Sequence, residues 1–342
     1  MDIKIITSGV DSEYVLSKLS AYLRRKGYEV IELDFGKFAG DTYKLLGKYL
    51  SDKMIYITSA HTNLSLRVAS LLAPNFIKLY PNYLSPLEII AYLKPIISIY
   101  IPHDLLTPYG DTNLDEYRFL DVYDYILAPY NASELKKVIS SKKTFIYEAG
   151  WVKLGKDTFF DSLVSKVKKP IEIMLFISMV EHLRTKFGAD GFIDYLKPLL
   201  QPSIHIKLPV WSGMDIIEDK LRAIKGINVV SAHENTMNLI KKSKVVVCNG
   251  ASSIHAEAAL LGKPTICLLD NEGISPEEQE KKLGQLPNIY FFDYRVKQSI
   301  PNDLLSSISA NSCEPLLKSF DYTIVDNIIQ KTIREYRGIL HE

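Results

Sequence analysis

Short apolar runs of strand length alternate with longer amphipathic stretches along nearly the whole chain, and this alternation restricts the fold more tightly than any other property of the sequence. Ile3–Thr7 reads as a buried strand. Ser12–Lys26 follows as a helix, with Val15, Leu16, Leu19 and Leu23 near helical spacing, and Gly27 stops it before strand Tyr28–Leu33. Strands are expected at Met54–Thr58, Phe76–Leu79, Ile96–Ile101, Tyr125–Ala128 and Thr144–Tyr147, with a helix at Leu64–Leu72. A basic stretch ending in proline, Val164–Pro170, reads as a linker, after which the rhythm restarts. The second half predicts strands Ile171–Phe176, Ile204–Leu208, Asn228–Val230, Val245–Cys248, Thr265–Leu269 and Ile289–Phe292. Helices are predicted at Gly191–Leu200, Met214–Ile224, Thr236–Lys242 and Ser252–Leu261. Such a pattern implies α/β architecture with mostly parallel sheets covered on both faces. At 342 residues, 47% of them apolar, the chain has room for two such cores. The expected division is a first α/β domain over residues 1–165 and a second over 170–320. Over 321–342 a closing helix with Ile328, Ile329, Ile333 and Tyr336 on one face returns toward the first domain. Ligands of open parallel sheets bind beyond the carboxyl ends of the strands, so in a tandem pair those ends can face each other across a cleft.

Several function classes drop out on composition. Lys+Arg is 41 against Asp+Glu 40, so no global positive field draws the protein to nucleic acid. Three scattered cysteines, Cys248, Cys267 and Cys313, supply neither a disulfide framework nor a zinc site. The N-terminus lacks the basic start and apolar core of a signal peptide, and no apolar run reaches the roughly 18–20 residues of a membrane span. A cytoplasmic protein is expected.

The most informative segment is Lys244–Leu269. A buried strand ends in Asn249-Gly250-Ala251-Ser252-Ser253, and a helix of small residues begins there. Gly250 lets the backbone approach a ligand, and the free N–H groups at the positive end of the helix form an anion site. Ser252 or Ser253 can cap the helix or donate a hydroxyl to phosphate. Glu257 lies one turn beyond Ser253 on the same face, placed to accept from sugar hydroxyls, and Gly262-Lys263-Pro264 ends the helix. A strand–turn–helix unit that merely caps itself would also use a glycine and a serine.

This segment resembles the nucleotide-diphosphate site of GT-B glycosyltransferases and their relatives, above all the CDP-glycerol glycerophosphotransferases of teichoic-acid synthesis and the UDP-N-acetylglucosamine 2-epimerases. The resemblance implies two facing Rossmann-like domains, the GT-B architecture. The loop Asn249 to Ser253 would hold the diphosphate, with Gly250, Ser252 and Ser253 as the matched residues. Glu257 would hold the ribose, and His233, in the loop after strand Asn228–Val230, would contact the base. UDP and CDP donors both remain open.

In the first half, Pro102-His103-Asp104 ends a buried strand. A histidine there can serve as general base on an acceptor hydroxyl, with Asp104 holding its tautomer. His103 to Asp111 is similar to the His-Gly-Thr-x-x-Lys-x-x-Gly-x-Asp stretch of the glycerophosphotransferases, except that Asp104 stands where they have glycine. Their second histidine, in Lys-x-His-Pro, is absent here, where the sequence reads Lys207-Leu208-Pro209. After strand Ile171–Phe176, Arg184 or His182 is placed to neutralise a departing diphosphate without a metal. Ser8, Gly9 and His61 end the first and third strands and could contact an acceptor.

The resemblance therefore implies a metal-independent inverting transferase without a separate cofactor. It would move a sugar or alditol phosphate from a nucleotide-activated donor to a hydroxyl of a cell-surface glycan or glycolipid. Peripheral contact with the inner membrane face is a further expectation from the family, although the chain shows no amphipathic anchor. Two alternatives stand beside it, a UDP-GlcNAc 2-epimerase-like isomerase and a non-catalytic nucleotide-sugar-binding module.

Overall fold

The computed structural model describes residues 3–9, 15–34, 53–59, 95–102, 105, 120, 123–139, 143–155, 169–178, 180–209, 214–250 and 252–339. The expected helix Leu64–Leu72, the strand Phe76–Leu79 and most of the linker before Lys169 lie outside these residues. The chain divides into two compact units. One comprises Met1–Thr107, Asn113–Ser162 and Leu317–Glu342, and the other Pro108–Thr112 and Leu163–Leu316.

The first unit carries β1 (Ile3–Gly9), β2 (Val30–Asp34), β3 (Lys53–Thr58), β4 (Pro95–Tyr100), β5 (Tyr125–Ala128) and β6 (Phe145–Glu148). They form one six-stranded sheet in the order β2-β1-β3-β4-β5-β6. Every pairing is parallel, as the alternating pattern requires. Ile5, Ile57, Ile99 and Leu127 point to one face, where they pack with Leu19 and Leu23 of α1 (Ser17–Arg25) and with Val325 and Ile329 of the C-terminal helix (Tyr322–Ile339). On the opposite face Tyr100, Ile126 and Ala128 pack with Leu135 of α2 (Ala132–Val138). Burial on both faces explains why these strands read as continuous apolar runs.

The C-terminal helix belongs to this first unit, as the sequence led us to expect. Its approach is fastened to the end of β6. Trp151 N donates to Lys318 O (2.9 Å), Asp321 N donates to Ala149 O (2.8 Å), and Tyr28 Oη donates to Asp326 Oδ1 (2.7 Å). Gly150 makes the approach possible: its φ is +85°, and a Cβ there would sit 2.4 Å from the Ser319 carbonyl oxygen.

The second unit runs β7 (Ile171–Phe176), α3 (Val180–Leu196), β8 (Ile204–Lys207), α4 (Asp215–Arg222), β9 (Asn228–Val230), α5 (Thr236–Lys242) and β10 (Ser243–Asn249). It continues with α6 (Ser253–Leu260), β11 (Thr265–Leu269), α7 (Pro276–Leu283), β12 (Ile289–Asp293) and α8 (Asn302–Ser309). Its sheet, also six-stranded and parallel, has the order β12-β11-β10-β7-β8-β9. Ile173, Leu175, Ile204, Ile206, Val245, Val247, Ile266 and Leu268 meet α3, α4 and α8 in one core.

Three departures from the expected elements have physical reasons. The helix expected at Gly191–Leu200 begins at Val180, directly after β7. Two helical segments join across Gly188, whose φ of 68° and ψ of 179° are non-helical. The glycines at 188 and 191 disguise a helix whose buried residues lie at both ends of the span. Helix α7 escapes the periodicity because its solvent face is almost wholly charged; its signal is the cap, where Ser275 Oγ accepts from Glu278 N (3.2 Å) and Pro276 follows. Helix α8 has no counterpart among the expected elements, although Leu305 and Ile308 bury one face of it.

Candidate functional site

Each sheet has one point where the strand order reverses. In the first unit it lies between β1 and β3, and in the second between β7 and β10. Such reversals open a crevice beyond the strand ends, because the connecting helices leave in opposite directions. The sequence-selected loop after β10 therefore sits at the second unit's switch point. Ser8 and Gly9, the last residues of β1, stand at the first unit's, where Ser8 is in register with Thr58 of β3.

The β10 loop is built on a buried polar network. Asn249 is 0% exposed and directed into its own unit. Its Oδ1 accepts from Ser178 N (2.8 Å) and Ser178 Oγ (3.2 Å), and its Nδ2 donates to Tyr195 Oη and to Asp270 Oδ2, each at 3.2 Å. Tyr195 Oη also donates to Asp270, and Ser178 Oγ to the Asn249 carbonyl. Asn249 thus ties the ends of β7, β10 and β11 together, and its side chain is spent on the scaffold. Burial and the Asp270 carboxylate push the Tyr195 phenol up, keeping it a donor.

Gly250 follows with φ +59°, the left-handed conformation that glycine adopts without strain. Its carbonyl accepts from Gln279 Nε2 (3.0 Å) of α7. Ser252 is the N-cap of α6, its Oγ accepting from Ile254 N (3.3 Å). Ser252, Ser253 and Ile254 are half-buried at the helix start, whereas His255 through Leu260 are buried. Glu257 is among these, at 1% exposed, so its carboxylate is withdrawn from bulk solvent.

His255, which the motif did not single out, is wholly buried under the loop. Its Nε2 faces Cys248 O (3.0 Å) and its Nδ1 faces Ser252 O (3.1 Å), one carbonyl on each side of Gly250. Burial pushes its pKa down while both carbonyls push it up, with burial the larger effect. Burial likewise pushes the Cys248 thiol up to about 12, so it is no nucleophile.

The start of α3 brings basic groups to the same edge. Glu272, in the loop after β11 and 8% exposed, accepts from Lys186 Nζ (2.9 Å) and lies 3.1 Å from His182 Nε2. Its backbone N donates to Asp270 Oδ1 (3.0 Å), joining this cluster to Asn249. His182 and Lys186 are one helical turn apart and share a face. Arg184 lies between them on another face, paired with Glu181 Oε1 at 2.7 Å, and is not brought to the cluster. His233 is exposed in the turn after β9, its backbone N donating to Ser231 Oγ (3.3 Å). His103, Asp104, His61 and Ala251 lie outside the described residues.

Sequence reasoning missed Ser178, Lys186, Asp270, Glu272 and Gln279. The first and the two acids share a signal, since each lies within three residues of the end of a predicted strand. No group of three or more metal-ligating side chains occurs among the described residues.

Two tandem Rossmann-like units, each with an all-parallel sheet and a switch point, define the GT-B class of fold, and this chain has it. The chain is similar to a Listeria monocytogenes protein assigned as a UDP-N-acetylglucosamine 2-epimerase, with a TM-score of 0.51 at 12% identity over 98% of this chain and 97% of that one. It is equally similar to S. aureus MnaA, solved with UDP, at a TM-score of 0.51 and 15% identity over the same shares of the two chains. A variant of the wall teichoic acid polymerase TagF follows at 0.48 and 11% identity, over 99% of this chain and 90% of that one. No protein-family model and no curated protein sequence matches the chain.

Proposed function

We propose that the protein binds a nucleotide-diphosphate-activated donor at the β10–α6 loop and acts as a metal-independent inverting transferase. The observation that carries this reading is the position of Gly250–Ser253. A left-handed glycine and a serine-capped helix start lie at the switch point of a parallel sheet, where the positive end of the helix dipole favours a diphosphate. The similarity in fold to MnaA, which binds UDP, supports the same choice of ligand. In this scheme Gly250, Ser252 and Ser253 hold the diphosphate, Glu257 takes the ribose and His233 lies toward the base. His182 and Lys186 add positive charge for the leaving group, in place of Arg184, which pairs with Glu181 on another face. His103, assisted by Asp104, removes the proton of the acceptor hydroxyl, which attacks the donor as the diphosphate departs. Ser8, Gly9 and His61 form the acceptor side. The acceptor would be a cell-surface glycan or glycolipid, reached by peripheral contact with the inner membrane face.

The test is a thermal-shift panel of UDP, CDP, GDP, CMP and their sugar conjugates. Ligand at 100 times its Kd stabilises the native state by about 2.7 kcal/mol, which raises the melting temperature of a domain this size by roughly 5–11 °C. A flat panel at millimolar ligand refutes the reading. His103→Ala should abolish turnover while nucleotide binding persists.

The likeness, along nearly the full chain, to the Listeria monocytogenes protein assigned as a UDP-N-acetylglucosamine 2-epimerase favours a second reading, a UDP-GlcNAc 2-epimerase-like isomerase. It requires free UDP and a C2-inverted sugar to form without any acceptor. A responsive panel with no turnover of any donor would leave a nucleotide-sugar-binding module.

A further inference from the structure

Lys207 is the last residue of β8, in register with Phe176 of β7 and Val230 of β9, so it stands at the carboxyl edge of the second unit's sheet. Ile204, Ile206 and Leu208 point into the unit's main core, which places Lys207 on the opposite face of the strand. It is 8% exposed, the one buried lysine among the described residues. Its ammonium makes no hydrogen bond and no ion pair within 4 Å to any described residue.

Lysines at strand ends ordinarily run their stems along apolar surface and leave the ammonium in water. A cation largely removed from water, with only the pull of Glu234 to offset it among the described residues, is costly, and a fold retains one where something compensates. The position of Lys207 names the compensation. Its ladder neighbour Phe176 leads in two residues to Ser178, which binds Asn249 at the switch point. Lys207 therefore stands two strands from β10, with β7 between them, on the same carboxyl edge of the sheet as the loop of Gly250 and Ser252.

We infer that Lys207 is a further donor-binding residue, a buried ammonium that recognises a phosphate oxyanion of the ligand held at the β10–α6 loop. The inference rests on the diphosphate-binding reading and deepens it.

Burial lowers the Lys207 pKa to about 8, against an opposing pull from Glu234 in the loop after β9. Of the other titratable groups nearby, His205 is on the same strand and His233 in the same loop as Glu234. Among the described residues, only Glu234 acts on the ammonium. Helix α5, packed over β7 and β10, carries no titratable side chain before Lys241. An arriving oxyanion favours the charged form, so the ligand should bind Lys207 protonated and more weakly as the pH passes 8.

The experiment measures binding of UDP, CDP and inorganic pyrophosphate by titration calorimetry at pH 7 and pH 9. It uses the full chain, Lys207→Met and Lys207→Arg. The wild type should lose about tenfold in affinity between the two pH values, as the charged fraction falls from nine-tenths to one-tenth. Lys207→Met should bind at least tenfold more weakly at pH 7 and show no such pH dependence. Lys207→Arg, charged throughout, should recover part of the affinity and also lose the pH dependence. Without ligand, Lys207→Met should melt no lower than the wild type, which separates lost binding from lost folding. Unchanged nucleotide affinity in Lys207→Met overturns the inference and leaves the nucleotide reading standing. Pyrophosphate binding that depends on Lys207, with no response to either nucleotide, upholds the inference and removes the nucleotide. No response of the wild type to any of the three removes both.

Discussion

Replacing Asn249 with alanine tests the claim that this residue builds the loop and does not itself grip the ligand. Truncation removes an acceptor from Ser178 N at 2.8 Å and three weaker contacts at 3.2 Å, one of them to a carboxylate. The Tyr195–Asp270 bond and the bond from Ser178 Oγ to the residue 249 carbonyl survive, so neither partner is stripped completely. At about 1 kcal/mol for each net hydrogen bond, with the long contacts discounted, the loss is about 3 kcal/mol. For a unit of this size that lowers the melting temperature by roughly 6–12 °C. Circular dichroism melts of the full chain should show the second unit's transition moving while the first unit's stays in place. Asn249→Asp sharpens the test, because it sets an oxygen where Nδ2 now lies 3.2 Å from Asp270 Oδ2. Two carboxylates at that distance cannot both ionise cheaply, so one has its folded pKa raised above the unfolded value. Its stability is therefore present at low pH and lost as the pH rises through the folded pKa. Asn249→Asp should be worse than Asn249→Ala at pH 7 and should approach wild type toward pH 4. A shift under about 2 °C for alanine, or an aspartate variant insensitive to pH, would refute the structural role assigned to Asn249.

Two further outcomes follow from single positions. Gly262 ends α6 with φ +77°, and a Cβ there would lie 2.0 Å from the Cys313 carbonyl oxygen. Gly262→Ala should therefore cost more than about 2 kcal/mol, measured as a lower urea midpoint at unchanged slope. Lys207 is expected to make the protein gain stability with pH relative to Lys207→Met. Its folded pKa of about 8 lies below the unfolded value, so the penalty is full below pH 8. It is relieved between pH 8 and about 10.5, by up to about 3 kcal/mol, and a flat difference between the two melting curves over that window would contradict the burial of the ammonium.

The strands were legible because parallel sheets bury both faces and leave unbroken apolar runs, as in Val245–Cys248 and Thr265–Leu269. Helices whose evidence lies in caps and not in periodicity were not legible, and α7, with Ser275 and Pro276 at its start, is the clear instance. The Gly250–Ser252 turn was readable because glycine and a serine cap are local devices whose chemistry depends on a few consecutive residues. Asn249 was readable as part of the turn but not in its role, since its partners Ser178, Tyr195 and Asp270 come from three other segments.

Taken alone, the order of apolar runs determined that this chain is α/β with parallel sheets, and the small residues after β10 determined where an anion could rest. Only the tertiary structure decided that this loop lies at the reversal between β7 and β10, that Glu272 gathers His182 and Lys186 while Arg184 turns away, and that Lys207 is buried with no hydrogen bond or ion pair among the described residues. The reason is one of range. Backbone pattern and turn chemistry act over a few residues, whereas desolvation and charge pairing depend on which distant segments the sheet order brings side by side.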